Sequence, residues 1–289
     1  MKLKVGLPSG SLQQTSLDMF KRAGYNISVG DRSYFPSVDD EEMEVVLFRA
    51  QEISIFVEQG VLDAGITGKD WIEENASKVV EVAELRYAKR GPGQVKWVVA
   101  VPNDSKIKSV KQLVGKRIAT EVVKLTERFL RQHGVKAEVE FSWGATEVKA
   151  PDCVDAIVDV TETGSSLRAN NLRVVATIME STNRLIANRD AWKNRWKRNK
   201  IENLSVLLQG ALNALTRVGL KMNVPEAKLK AVLKALPALR NPTISHLAQE
   251  GWVAVETIVE EHIVRRIIPA LMKAGAEGIV EYPLSKVIY

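Results

Sequence analysis

Residues 155–171, DAIVDVTETGSSLRANN, open as a buried strand and turn abruptly into hydroxyls, one glycine and an arginine. Ala156 to Val160 form an apolar run of strand length with one acid, Asp159, near its carboxyl end, the end at which α/β sheets present their ligands. Thr161, Thr163, Ser165 and Ser166 follow with hydroxyls, and Gly164 lets the main chain turn sharply and come close to a ligand. A helix starting near Ser166 adds free amides and a partial positive charge, a suitable seat for phosphate. Asp159 at the strand tip is placed to accept from two vicinal hydroxyls. A phosphate beside a diol suggests a ribose 5-phosphate. The competing reading is a hydroxyl-rich turn in which Ser165 or Ser166 merely caps a helix.

The segments on either side set this turn in an α/β frame. Strand-like and helix-like stretches alternate over the first 190 or so residues, from KLKVGL and a helix over 11–23 to MEVVLF, AQEISIFVEQG and LDAGIT. A second set runs from VKWVVAVP through KRIAT, a helix over 125–133, AEVEFSW and VDAIVDV to LRVVATI. Such alternation predicts parallel sheets with crossover helices, in two lobes. YAKRGPGQ, residues 87–94, is the expected crossing, and STNRLIAN, residues 181–188, the expected return strand. The first lobe is then discontinuous, residues 1–90 plus 180–202, and the second spans 91–179. Over 203–289 the pattern becomes a buried helix followed by strands and helices in the order βαββαβ, with Pro225 and Gly275 as helix start and stop signals. That order is the ferredoxin-like one.

Composition narrows the function classes. The chain has 289 residues, 45% hydrophobic and 26% charged, an ordinary globular balance. Its apolar runs are strand-sized, short of the length a membrane span needs. The single cysteine allows no internal disulfide or cysteine-based zinc site, and MKLKVGLPSG enters a strand directly, so a reducing cytoplasm is expected. The three histidines are far apart, which disfavours a metal site or catalytic triad. A net charge of +6 suits anionic ligands. In RDAWKNRWKRNK, residues 189–200, Trp192 and Trp196 lie four apart, and one amphipathic helix with a solvated basic face is favoured over a nucleic-acid stripe.

The turn is similar to the phosphoribosyl-diphosphate loop of phosphoribosyltransferases, in which an acidic strand end leads into a T-G-x-T/S turn. More narrowly, the chain resembles the long-form ATP phosphoribosyltransferase family over essentially its whole length. The resemblance is carried by DAGITGKDW at 63–71, LPSGSL near the start, GATEVKAP at 144–151, the loop itself, and NPTIS, GWVAVETIV and GAEGIVEYPLSKVI near the end. Three places depart from the family pattern. Ser9 stands where a lysine is common, Val122, Val123 and Lys124 follow Glu121 in place of an aromatic-proline pair, and Asp152 and Cys153 follow Pro151 where a glycine-containing stretch is usual.

The resemblance implies two lobes of periplasmic-binding-protein type II architecture with a cleft between them, plus a C-terminal ferredoxin-like, ACT-like domain. It implies transfer of phosphoribosyl from phosphoribosyl diphosphate to N1 of ATP, the first step of histidine biosynthesis. No protein nucleophile is needed, because the leaving group is good and the task is alignment and charge neutralisation. Mg2+ would travel with the substrate phosphates. Asp159 is assigned to the ribose hydroxyls, Thr161, Thr163, Gly164, Ser165 and Ser166 to the 5-phosphate, and Arg49 to diphosphate, with a surface ion pair as its alternative. Ser9, Gly10, Gly68, Asp70 and Glu147 are assigned to the nucleotide side of the cleft; Asp70 as a plain helix N-terminal residue is the alternative there. Trp71 reads as core, and Arg168 as either a phosphate contact or solvated. The C-terminal module implies histidine as inhibitor, through Asn223, Thr243, Ile258 and Gly278, and a homo-oligomer passing between dimer and hexamer. The rivals are a bilobed small-molecule-binding or regulatory protein, and a phosphoribosyltransferase for another base.

Overall fold

The computed structural model describes residues 1–89, 91–236 and 242–289. Arg90 of the expected crossing and Asn241 of the NPTIS stretch lie outside them. In chain order the first lobe begins with β1 (Leu3–Ser9), α1 (Gln13–Ala23), β2 (Met43–Arg49), α2 (Ala50–Glu58), β3 (Ala64–Gly68), α3 (Lys69–Asn75) and β4 (Val80–Leu85). The second contains β5 (Val95–Pro102), β6 (Arg117–Thr120), α4 (Val123–Gln132), β7 (Glu138–Phe141), β8 (Ala156–Thr161), α5 (Ser165–Ala169) and β9 (Leu172–Ser181). The chain then returns through β10 (Asn183–Ala187), α6 (Arg189–Lys193) and α7 (Arg195–Ala214).

The first sheet has the order β2-β1-β3-β10-β4 and the second β7-β6-β8-β5-β9. β1 is parallel to β2 and β3, and β6 is parallel to β7 and β8, whereas β10 and β5 run antiparallel to their neighbours. Parallel strands must be covered on both faces. β1 and β3 accordingly read as near-continuous apolar runs, and β3 is buried at all five positions. One face of the second sheet packs on Ile118, Phe129 and Leu130, the other on Ile157, Leu167 and Leu172. β10 sits inside the first sheet, as expected of a return strand, and only Thr182 separates it from β9.

The basic stretch departs from its expected form. Asn194 adopts φ −72° and ψ 115°, which ends α6, and its side chain accepts from Lys197 N at 3.1 Å to start α7. Asparagine competes for backbone hydrogen bonds and favours caps over helix interiors, so one helix becomes two. The charges are committed to ordinary partners: Lys197 to Asp63 at 2.6 Å, Lys200 to Asp40 at 2.8 Å, and Arg198 over the Trp192 ring at 5.4 Å.

The chain divides into two compact units, Met1–Ser205 and Val206–Tyr289. The second contains β11 (Arg217–Pro225), α8 (Leu229–Ala235), β12 (Thr243–His246), β13 (Trp252–Glu260), α9 (Val264–Ala274) and β14 (Glu277–Pro283). Its sheet order, β12-β13-β11-β14 with antiparallel neighbours, is that of a ferredoxin-like βαββαβ module. Alternate residues Leu220, Met222 and Val224 of β11 face the helices, together with Val253 and Val255 of β13. On the opposite face the Tyr282 ring crosses Gly219, where a Cβ would stand 2.2 Å from ring carbon Cζ, so only glycine admits this approach.

Candidate active site

The carboxyl ends of strands from both lobes open onto one cleft of about 540 Å³. Ser9 ends β1 and is paired in register with Arg49, the last residue of β2. Gly68 ends β3, Glu121 follows β6, and Thr161 ends β8. Ser9, Arg49, Gly68, Asp70, Thr161, Thr163, Ser165 and Ser166 all line the cleft. Gly10 lies just beyond Ser9 in a left-handed conformation, φ +83°, with the Arg49 guanidinium beside it. Asp159, Gly164 and Glu147 are not among the lining residues: Asp159 and Gly164 adjoin lining residues in the chain, and Glu147 is bonded to the lining residue Ser166.

The turn after β8 is organised by hydroxyls, but not as a helix cap. Thr161 Oγ1 accepts from Gly164 N at 2.7 Å, and Thr163 Oγ1 donates to Ser165 Oγ at 3.1 Å. Ser166 Oγ donates to the Glu147 carboxylate, which ties the 142–148 loop to the turn. Gly164, at φ +73°, is the residue before α5, and neither Ser165 nor Ser166 caps the helix. The serine hydroxyls are therefore not engaged as helix caps. Arg168 reaches back to the Thr163 carbonyl at 3.0 Å, bracing the turn from its C-terminal side.

Asp159 is half-buried and accepts from Val160 N at 2.7 Å. Burial, opposed by that bond and reinforced by the nearby Glu147 and Glu121 carboxylates, pushes its pKa up to about 7. A carboxylate held this way gains from any ligand that donates to it.

Asp70 has a different setting. It is 4% exposed, and its carboxylate accepts from Trp97 Nε1 at 2.6 Å and Trp71 N at 3.0 Å. Its own amide donates to Ser181 Oγ at 3.1 Å. Burial raises its pKa, and the bonds from Trp97, Trp71 and Ser181 oppose the rise. Trp97 belongs to β5 of the second lobe, so Asp70 joins the lobes at the floor of the cleft. Trp71 meets Trp97 edge-on at 6.0 Å between centroids, packs against the second core and also lines the cleft. The rest of α3 extends the join: Glu73 pairs with Arg128 at 2.8 Å, and the Glu74 carboxylate accepts from Lys124 N and Leu125 N at the start of α4.

Sequence reasoning missed several lining residues. Ser181, Thr182 and Asn183 line the cleft because the return crossing runs along its floor, and Asn183 Nδ2 donates to the Tyr87 carbonyl at 2.7 Å. Glu121, given no role above, also lines it. The signal for the crossing was a strand pair separated by one residue, which says nothing about a cleft until the two sheets are assembled.

The model of the ATP phosphoribosyltransferase family, HisG, matches residues 49–210, and that of the HisG C-terminal domain matches residues 214–286. The chain belongs to the ATP phosphoribosyltransferase family. An ATP phosphoribosyltransferase of Pelotomaculum thermopropionicum is 62% identical over 288 residues, covering 100% of each chain. One of Thermodesulfovibrio yellowstonii is 61% identical over 286 residues, covering 99% of this chain and 98% of its own. Among solved structures, the ATP phosphoribosyl transferase (HisG:HisZ) complex from Thermotoga maritima matches with TM-score 0.60 and 22% identity, over 71% of this chain and 98% of that one. At that identity the likeness shows the fold alone.

In the C-terminal unit of this phosphoribosyltransferase, Asn223, Thr243 and Ile258 share the helix-free face of the sheet, and Gly278, at φ +57°, lies beside Asn223. They form two pairs. Gly278 and Asn223 would be 3.5 Å apart with a Cβ on the glycine, while Thr243 is in register with Glu256, two residues from Ile258. Between the pairs the Tyr282 hydroxyl donates to Glu256, and that bond is the first cause lifting the tyrosine to about 12.

Proposed function

We propose that the interlobe cleft is where this ATP phosphoribosyltransferase joins N1 of the ATP adenine to C1 of phosphoribosyl diphosphate. The C1–N1 bond forms as the C1–O bond to diphosphate breaks, giving N1-(5-phosphoribosyl)-ATP in the first step of histidine biosynthesis. The observation that carries the reading is the β8 tip, where a half-buried carboxylate with no cationic partner among the described residues precedes a turn of hydroxyls that lines the cleft. In this reading Asp159 accepts from the ribose 2- and 3-hydroxyls, the turn from Thr161 to Ser166 donates to the 5-phosphate, and Arg49 meets the diphosphate. These residues align the donor and stabilise charge as it develops, which is most of what the reaction demands.

Magnesium belongs to the proposal as the counter-ion of the polyphosphates. A hard cation takes oxygen donors and keeps substrate phosphates and waters in its shell. The carboxylates of Asp159 and Glu121 at this end of the cleft suit that chemistry, and the bound ion would neutralise the leaving diphosphate. Histidine as a feedback inhibitor on the helix-free face of the C-terminal sheet, a homo-oligomer passing between dimer and hexamer, and a cytoplasmic setting complete the reading. Among the described residues no helix is long and apolar enough to cross a membrane.

The test is diphosphate release from phosphoribosyl diphosphate with ATP and Mg2+, run beside GTP, nucleotide-free and chelator controls, and repeated with histidine. ATP-dependent, chelator-sensitive turnover suppressed by histidine is the expected result. Ligand binding without turnover in folded protein would make the cleft a binding site only, and turnover indifferent to histidine would remove the regulatory half.

A further inference from the structure

Polyphosphates need positive charge, and the cleft supplies little of its own. Among the described residues its lining holds three acids, Asp70, Glu121 and Glu162, against two cations, Arg49 and Lys89. Neither cation has a carboxylate partner within ion-pair distance among the described residues, unlike Lys69, Arg128, Lys197 and Lys200 elsewhere in the same unit. A cation left unpaired beside acids, on the wall of a cleft, is available to an anionic ligand.

The main chain of Lys89 is held by hydrogen bonds, while its ammonium has no carboxylate partner among the described residues. The residue sits just after Tyr87, whose buried hydroxyl bonds Ser16 Oγ at 2.8 Å, at the point where the chain leaves the first lobe. Its N–H donates to Glu162 Oε1 at 3.1 Å, and its carbonyl accepts from Thr15 Oγ1 at 3.5 Å. Glu162 belongs to the hydroxyl turn, so its carboxylate locks the crossing segment to the phosphate end of the cleft through the lysine backbone. The side chain is exposed.

We propose that Lys89 is a second polyphosphate-binding cation of this cleft, acting with Arg49 on the diphosphate of phosphoribosyl diphosphate or the triphosphate of ATP. The proposal rests on the reading of the cleft as a phosphoribosyl-transfer site. Arg49 arrives from the β2–α2 corner, Lys89 from the crossing segment and the hydroxyls from the β8–α5 turn, so three separate segments bring donors to one cleft. A compact ammonium on a flexible stem serves such a site as a point charge, where a guanidinium gives a planar fork.

The experiment compares the parent with Lys89→Ala, Lys89→Gln and Lys89→Arg in two measurements. The first is steady-state KM for each substrate. The second is calorimetric binding of inorganic diphosphate with Mg2+, an equilibrium reading that needs no turnover. Removal of the charge is expected to weaken diphosphate binding, or to raise the KM of one substrate, by about tenfold, the scale of one charge-assisted contact. Lys89→Arg should recover most of it, and the thermal midpoint should not move. A rise confined to phosphoribosyl diphosphate places the ammonium on the diphosphate, and one confined to ATP places it on the triphosphate. Changes of less than about threefold in both KM values and in diphosphate affinity overturn the proposal. If the parent binds diphosphate but makes no phosphoribosyl-ATP, the reading of the reaction fails, and the binding arm still decides the role of Lys89.

Discussion

Two strand-to-helix turns face the same cleft from opposite lobes, and each brings glycine and an acid to a strand end. In the first, Gly68 ends β3 and Asp70 opens α3; in the second, Asp159 lies two residues from the end of β8 and Gly164 precedes α5. Asp70 is fully committed, sealed by the indole of Trp97 and the amide of Trp71. Among the described residues Asp159 has one amide, no cation, and two like charges nearby. One acid closes the protein on itself, and the other, in the proposed reading, is left for a ligand. Residue type and spacing do not distinguish these uses. The partner from the other lobe does.

The sharpest way to break this contrast is to remove Asp159. Asp159→Ala is expected to lower kcat/KM for phosphoribosyl diphosphate by roughly 100-fold, the scale seen when one preorganised polar contact to a transition state is lost. Its stability should move the other way. Folding raises the Asp159 pKa to about 7, so the folded protein holds this proton more tightly than the unfolded chain. The associated stability is complete below the ordinary carboxylate range and is lost as pH rises through about 7. At pH 8 the variant should therefore melt no lower than the parent by calorimetry. A large drop in melting temperature would mean that Asp159 is structural.

The same titration sets the next effect. In the free protein kcat/KM for phosphoribosyl diphosphate should rise with pH and level off above about 7, as the acceptor form of Asp159 becomes populated. Below that point the fall approaches about tenfold per pH unit. Asp159→Asn should flatten the limb whatever its absolute rate. A limb that persists unchanged in the asparagine variant belongs to another group.

At the other turn the expected loss is in stability. Asp70→Ala leaves the buried Trp97 N–H without an acceptor, at a cost of about 1–3 kcal/mol. Asp70→Asn keeps an acceptor and should recover part of it. Chemical denaturation reads both, and turnover per folded molecule should fall much less than for Asp159→Ala. If Asp70→Ala keeps its stability and loses turnover instead, the two acids do the same work and the contrast disappears.

What could be read in the chain follows the same division. The β8 strand, its acid and its hydroxyls were legible because an apolar run ending in threonines and a glycine is local information. So was the βαββαβ order of the C-terminal unit. β4 was not, because VEVAEL alternates acid and apolar residues at an edge, and its partner β10 comes about a hundred residues later. The break at Asn194 was hidden because asparagine is tolerated in a helix until a cap is seen. The floor formed by Ser181, Thr182 and Asn183, and the commitment of Asp70 to Trp97, exist only after the two lobes meet. Charge told more about partners than about place: the basic stretch at 189–200 pairs with its own acids, while Lys89, in an unremarkable crossing, reaches the cleft.

The smallest expected effect isolates the backbone of the turn proposed to hold the ligand. Gly164 has φ +73°, where an added Cβ costs about 1–2 kcal/mol and would stand 2.8 Å from Arg168 Nη1. That neighbour is the end of a flexible chain, so Gly164→Ala can be accommodated by releasing the Arg168 bond to Thr163 and shifting the turn slightly. KM for phosphoribosyl diphosphate should rise several-fold with kcat nearly unchanged, because the hydroxyls move together and Asp159 stays on its strand. Gly68→Ala offers no such release. Its φ is ordinary, −70°, but the new Cβ would lie 1.9 Å from Asp70 Oδ1 and must dislodge the carboxylate that Trp97 holds. If Gly164→Ala costs more stability than Gly68→Ala, the ligand turn is the structural one, and the roles given to the two turns must be exchanged.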